Sequence, residues 1–526
     1  MKSKVFSTRK GAPTDHVNDA GGKAYKLSDE AALAQYAVTG TFNDTYYAGA
    51  QTQLDRLIEL AAKCSSEYIA KAAVYARQKG YMKDMPAALC AVLHGRGKEG
   101  LPHLKVVFPK VIDNGRMLRG FVQMVRSGVF GRKSFGTATK RLIREWLENR
   151  TDEQIFKDSV GNDPSLADVI KMVHPKPAKA SRNALYGYLL GKEYNKRNLP
   201  KLVKEYEKFK AGKSKEVPNV PFQMLTAASP GPDVWTEIAN NAKWQMTRMN
   251  LNTFQRHGVL EDPKMVNKLA KRLADPENVR RARAFPYQLM MAYHAFSGDM
   301  KLQNALQDAL DVAVENVPEI PGKVYVCVDV SGSMGSPVTG HRRGATTNVA
   351  CYQVACLMAA AIVKNNPNTE VLTFDTQVYQ KRLNPRDSVI TIAKQLFRNG
   401  GGTAISAPLS VLNQAKARGD AVIIISDIET WVDRHYGWGR SGTTLAQEWQ
   451  KFKGRNKKAR MVLIDLQVGD HTQMPEQRPD TLHIGGFSDQ VFNLVAMYVE
   501  TGSADGLRNA VNEVDLSVDI SARNAA

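Results

Sequence analysis

The stretch VYVCVDVSGSMGS (324–336) starts as an apolar run and ends in Asp329, Ser331 and Ser333, interleaved with Gly332 and Gly335. Six of its first seven residues are hydrophobic, as expected of a strand buried on both faces. The polar side chains that follow are all small oxygen donors in alternate positions, so a loop can turn them to one side. The glycines let the backbone fold closely around whatever sits there. Hard oxygen donors with room for water suit Mg²⁺, which keeps several waters and needs only one or two protein carboxylates.

Working outward, further apolar runs read as strands at 370–374 (EVLTF), 421–426 (AVIIIS) and 460–467 (RMVLIDLQ), with the first at 323–330. Helical spacing is expected at about 346–364, 386–397, 407–416, 443–453 and 488–500. Short apolar strands alternating with helices predict a doubly wound α/β sheet, which binds ligands at the carboxyl ends of its strands. Two more oxygen ligands are expected from such ends: Thr403, after Gly400-Gly401-Gly402, and Asp427, after AVIIIS.

Upstream, from about 25 to 315, the apolar spacing is helical nearly throughout, as in Leu54, Leu57, Ile58 and in Leu142, Ile143, Trp146, Leu147. Breakers such as Gly95-Arg96-Gly97 and Pro175-Lys176-Pro177 separate the runs. Many helices on short loops suggest stacked helical pairs, with a loose polar segment over 1–20. The stretch KEYEKFKAGKSKE (204–216) reads as a helix end running into an exposed linker.

Charge divides along the same line. Residues 1–320 carry 50 Lys+Arg against 33 Asp+Glu, whereas 321–526 carry 22 against 19. A basic helical part attracts polyanions, nucleic acid first among them, in a salt-dependent way. No apolar run reaches the roughly 20 residues that span a bilayer, and no secretory h-region follows the basic start, so a cytoplasmic protein is expected. The five cysteines lack C-x-x-C spacing and read as reduced, buried thiols.

The set Asp329, Ser331, Ser333, Thr403 and Asp427 resembles the metal-ion-dependent adhesion site of von Willebrand factor A domains, over about 320–505. In that family the divalent ion accepts an acidic group from a partner protein. Ahead of it, KDMPAALCAVL (83–93), SFGTATKRLIREW (134–146), SLADVIKMVHPKP (165–177), MNLNTFQRHGVL (249–260) and ARAFPYQLMMAY (282–293) resemble, in that order, the TROVE module of the Ro autoantigen family. The chain thus looks like a bacterial or phage-type Ro relative. The expected division is a TROVE part at 1–320 and a von Willebrand factor A domain at 321–526. The resemblance implies an all-α ring of HEAT-like repeats that binds small Y RNAs outside and single-stranded 3′ ends of misfolded RNA in its hole. It also implies RNA quality control, an exoribonuclease as a possible partner, and a monomer.

Candidate RNA contacts are Lys140, Arg141 and Arg144 on one helical turn. His174 stands where the family has a histidine tied to Y RNA binding, with Lys176 beside it. Asn250 and Arg283 match family positions in MNL and ARAFP; Arg248, Arg256 and His257 join on charge. Tyr46 and Tyr47 are aromatics able to stack on bases, though core packing is the commoner use. One departure stands out: where family members carry a basic segment ahead of the S-x-x-D, this chain has FKDSVGNDPSLAD (156–168), with Lys157 alone. Contacts to a standard Y RNA are therefore expected to differ.

Two other functions compete: a metal-dependent adhesion-type scaffold and a metal-dependent RNA hydrolase. The charge asymmetry disfavours the first. The second lacks a nucleophile or base: Ser331 stands where a phosphotransferase usually has a second Asp, and His435 and His471 read as surface histidines.

Overall fold

The computed structural model describes residues 13–43, 49–228, 232–282, 286–315, 317–338, 340–341, 349–432, 443–467, 469–476, 478–486, 490–501 and 507–517. Residues 1–12, Tyr46, Tyr47, Arg283 and His435, all named above, lie outside the described residues. Two compact units emerge. One holds residues 1–64, 285–291 and 313–513; the other holds 65–284, 292–312 and 514–526.

The first unit is built on a six-stranded sheet. Its strands are β3 (Val324–Asp329), β4 (Thr369–Phe374), β5 (Val378–Lys381), β6 (Ala421–Ser426), β7 (Arg460–Asp465) and β9 (Thr481–Gly485), in the order β5-β4-β3-β6-β7-β9. All pairs are parallel except β4 with the edge strand β5. β3 and β6 are buried at every position, which is why they read as continuous apolar runs. Tyr325, Cys327, Val422, Ile424, Met461 and Leu463 face a core that includes Leu409, Leu445, Trp449 and Phe452 from helices Ala407–Gln414 and Thr444–Arg455. Helix Cys351–Asn365 also packs on β3, β4 and β6.

The chain leaves β3 for β4 on one side and returns to β6 on the other. This reversal opens a crevice at the carboxyl ends of β3 and β6, the place where doubly wound sheets take ligands.

The first residues of the unit depart from expectation. The segment after residue 12 is ordered: β1 (His16–Val17) pairs with β2 (Lys23–Lys26), which pairs with β8 (His471–Thr472). Asn18 is buried and donates from Nδ2 to the Thr430 carbonyl at 2.9 Å. Residues 16–26 thus add strands to the sheet-bearing unit through backbone pairing, and alternation over two to four residues is too short to show that in a sequence.

The second unit is helical throughout its described residues. Helix Gly115–Ser127 illustrates why. Asn114 caps its start by accepting from Met117 N–H, Leu118, Phe121, Val122 and Val125 form one buried stripe, and Gly128 at φ +78° closes its end. Helices Asp152–Asp158 and Leu166–Val173 open on capping boxes from Thr151 and Ser165. The 204–216 stretch is helical to Lys210 and then loops, as expected.

Gly95 ends helix Asp84–Gly95 against the 130–131 turn, where an added Cβ would lie 1.7 Å from the Phe130 carbonyl oxygen. Backbone cannot yield as a side-chain tip would. Gly95→Ala is expected to cost about 1–3 kcal/mol, read as a lower urea midpoint at unchanged m.

All five cysteines are buried and free. Among the described residues, no helix is long and apolar enough to cross a membrane.

Candidate metal centre and nucleic-acid face

Asp329 closes β3 and is fully buried. Its Oδ1 accepts from Ser331 N–H at 2.9 Å and its Oδ2 from Ser426 Oγ–H at 2.5 Å. Ser331 Oγ lies 3.3 Å from Ser333 Oγ. The glycine loop before Thr403 is laced to this turn: Gly400 N–H donates to the Val330 carbonyl and Gly332 N–H to the Gly401 carbonyl, both at 3.0 Å. Gly401 sits at φ +74°, where a side chain would be strained, and its Cβ would also press on Asp375. Thr403, only 2 % exposed, follows that loop.

Asp427 comes directly after β6. Its Oδ1 accepts from Glu429 N–H at 3.3 Å, while its Oδ2 is buried without a hydrogen-bond partner. Burial, and then the charge of Asp329, push its carboxyl well above the usual range. Burial likewise pushes Asp329 up, to about 6, against the lowering bonds from Ser426 and Ser331. Two buried carboxylates that repel each other, one with an orphaned oxygen, beside two serine hydroxyls and Thr403: this donor set fits a hard divalent cation.

Two residues beside the site were not singled out from the sequence. Asp375 follows β4, 3 % exposed, and meets Tyr379 Oη at 3.3 Å and Arg398 Nε at 3.5 Å. Its charge raises Asp329 further. Trp431, 48 % exposed, packs on Gly402. The signal for Asp375 was available, since VCVD, LTFD, IISD and LID each end a strand run in aspartate.

His471 corrects an expectation. It is a buried strand residue, not a surface one, because β8 is covered and Glu429 and Asp470 satisfy its ring.

The basic candidates fall into two groups within the helical unit. Lys140, Arg141 and Arg144 lie on helix Gly136–Glu148. Arg141 is exposed and Lys140 half-buried. Arg144 Nε donates to the Val173 carbonyl at 2.6 Å, satisfying the end of helix Leu166–Val173. That bond sets Arg144 beside His174, an exposed residue held at φ +50° in the helix cap. Lys176 is exposed just beyond. His94, missed in the sequence, anchors this face from below: buried, it bonds Thr139 Oγ1 at 2.9 Å and the Ser134 carbonyl at 3.1 Å.

The second group lies on helix Trp244–Arg256 and its cap. Asn250 sits at a kink, φ −121°, and donates to the Met246 carbonyl at 2.8 Å. Arg248 and Arg256 reach Gln245 and Thr253 on their own helix. His257 stacks on Trp235, with ring centroids 3.9 Å apart. Asn250 and Arg144 therefore brace backbone as well as standing among basic residues.

The charge follows the two units: the helical one carries 43 Lys+Arg against 26 Asp+Glu, a net +17, and the sheet-bearing one the remaining +3.

The Ro60 vWA domain model matches residues 323–499, and the TROVE domain model matches residues 131–306. The chain belongs to the Ro family. This Ro-family chain is 24% identical over 518 residues to a protein of Deinococcus radiodurans named RNA-binding protein RO60, covering 91% of this chain and 94% of that one. A protein of the same name from Caenorhabditis elegans is 23% identical over 451 residues, which are 80% of this chain and 66% of the relative. The crystal structure of the Deinococcus radiodurans RO (RSR) protein superposes with a TM-score of 0.61 at 21% identity, covering 90% of this chain and all of that one. The fold is therefore the Ro one, a helical part joined to a von Willebrand factor A domain.

Proposed function

We propose that this Ro-family chain is a non-enzymatic RNA-binding protein whose helical unit takes structured small RNA and single-stranded 3′ ends. One observation carries the reading: the helical unit holds +17 of the chain's net charge of +20. Lys and Arg at phosphates give affinity without sequence choice, and counterion release makes that affinity fall with salt. Lys140, Arg141, His174 and Lys176 form the face on which contact is proposed. The names of the two relatives support RNA as the partner class. Five buried free thiols suit a reducing compartment, in keeping with a cytoplasmic protein.

The metal centre is read as a separate device. Asp329, Ser331, Ser333, Thr403 and Asp427 would hold Mg²⁺, and the ion would supply an open position for an acidic group of a protein partner. An exoribonuclease, recruited through a small RNA and not through the ion, is a separate partner to be tested. Asp329 is fully engaged by Ser331 and Ser426, which suits holding an ion rather than attacking a substrate.

Gel-shift titration of a hairpin with a 3′ tail, and of the same hairpin blunt, tests this at two salt concentrations. The wild type is expected to prefer the tailed RNA. Lys140→Ala/Arg141→Ala is expected to weaken binding of both RNAs and lower the salt slope by about two. Equal slopes in mutant and wild type would remove Lys140 and Arg141 from the interface; no binding at physiological salt would sink the reading.

A further inference from the structure

The small sheet β1-β2-β8 brings His16 and His471 together with Asp470. His16 Nε2 lies 3.6 Å from Asp470 Oδ1, and His471 Nδ1 lies 3.6 Å from the same oxygen. One ligand atom from each residue falls within 4.8 Å of the other two. Ligands about 2.0 Å from a tetrahedral ion stand roughly 3.3 Å apart, so the three groups are near coordinating distance before any ion draws them in.

An independent observation concerns the far side of His471. Its Nε2 lies 3.0 Å from Glu429 Oε1, and both side chains are about 95 % buried. The other Glu429 oxygen accepts from Ala20 N–H at 3.1 Å, which fixes the carboxylate. A metal-bound imidazole that donates its second N–H to a held carboxylate is the usual outer arrangement of such sites; it sets the tautomer and raises the ring's basicity. His16 and Asp470 are each about one-third exposed, so water can reach a fourth position.

We propose that His16, Asp470 and His471 form a second metal site, for a zinc-class divalent ion with two imidazoles and one carboxylate. It is separate from the hard-oxygen centre in ligand chemistry, since imidazole favours zinc over magnesium. Bound there, the ion staples the N-terminal ribbon to β8. The Glu429 and Asp470 carboxylates on either side of the His471 ring, at 3.0 and 3.6 Å, attract a divalent ion, and coordination through Nδ1 requires that nitrogen to be free of its proton.

The test is zinc titration of the untagged full-length chain by calorimetry in excess Mg²⁺, with Co²⁺ absorption reporting ligand geometry. One equivalent of Zn²⁺ is expected, with a tetrahedral Co²⁺ spectrum. His16→Ala, at an edge-strand position about one-third exposed, is expected to weaken zinc at least tenfold, and Glu429→Gln by about 10–100-fold. Asp427→Asn is expected to keep the zinc equivalent. Failure of the wild type to take up zinc, unchanged affinity in His16→Ala, or loss of the equivalent in Asp427→Asn would each overturn the proposal.

Discussion

Asp427→Asn is expected to remove Mg²⁺ binding, at least a hundredfold in affinity, while raising the stability of the metal-free chain. Affinity of an oxygen site follows its ligand charge, and this change takes one of two carboxylates. Without the ion those carboxylates are a liability. Both are buried, Asp329 and Asp427 repel each other, and one Asp427 oxygen has no partner. Asparagine removes the charge with almost no change of shape.

The pH dependence follows from the same groups. The folded pKa of Asp329, about 6, lies above its ordinary value near 3.8. The folded state therefore holds a proton that the unfolded chain has lost, so stability falls as pH rises through that window. The penalty from Asp329 alone, on the order of 3 kcal/mol, is complete above about pH 6 and absent below about pH 4, and Asp427, also raised well above its ordinary value, adds to it. Mg²⁺ should flatten the profile. Denaturant midpoints at pH 5 and 7, with and without Mg²⁺, check both statements. A metal-free chain whose midpoint rises between pH 5 and 7 would contradict them.

Trp449→Ala is expected to cost about 3–5 kcal/mol. Trp449 is fully buried against β3, β6 and β7, stacks on Phe452 with centroids 5.7 Å apart, and donates from Nε1 to Asp480 Oδ2 at 3.2 Å. Truncation opens a large cavity and removes one bond from a half-buried carboxylate. The damage belongs to the sheet-bearing unit, so RNA binding by the helical unit should survive at temperatures where the variant is folded. Thermal unfolding followed alongside gel shifts separates the two. Equal melting of wild type and variant would place Trp449 outside the core.

Four of the sheet's six strands were legible because they are largely buried on both faces and run into aspartate; the edge strand Thr481–Gly485 was not expected. Val324–Asp329, Thr369–Phe374, Ala421–Ser426 and Arg460–Asp465 lie within a residue or two of the expected runs. The edge strand Val378–Lys381 was not, since its side chains are half-exposed or exposed and VYQK lacks an apolar run. The pairing of Lys23–Lys26 with the strand at His471 crosses more than 400 residues, which no local pattern reveals, and the His16–Val17 strand is too short to show alternation.

Within the candidate metal centre, the five proposed oxygen donors follow from spacing and strand ends. Asp375 carries the same strand-end signal, after EVLTF, as Asp329 and Asp427 do after theirs; its burial beside Gly401 is what places it at the site. On the helical side, exposure of Arg141 and Lys176 follows from helical phase and loop position. Bracing roles for Arg144 and Asn250 do not, because Val173 and Met246 offer their carbonyls only once the helices are packed and kinked.

Ultraviolet cross-linking of the full-length chain to a tailed hairpin, with the attached peptides mapped by mass spectrometry, tests the central claim most directly. Cross-links are expected within residues 65–284, among them peptides holding Lys140–Arg144 and His174–Lys176, with unchanged cross-linking in Asp427→Asn. Cross-links concentrated in residues 323–499, or lost in Asp427→Asn, would contradict it and make the metal centre the RNA site.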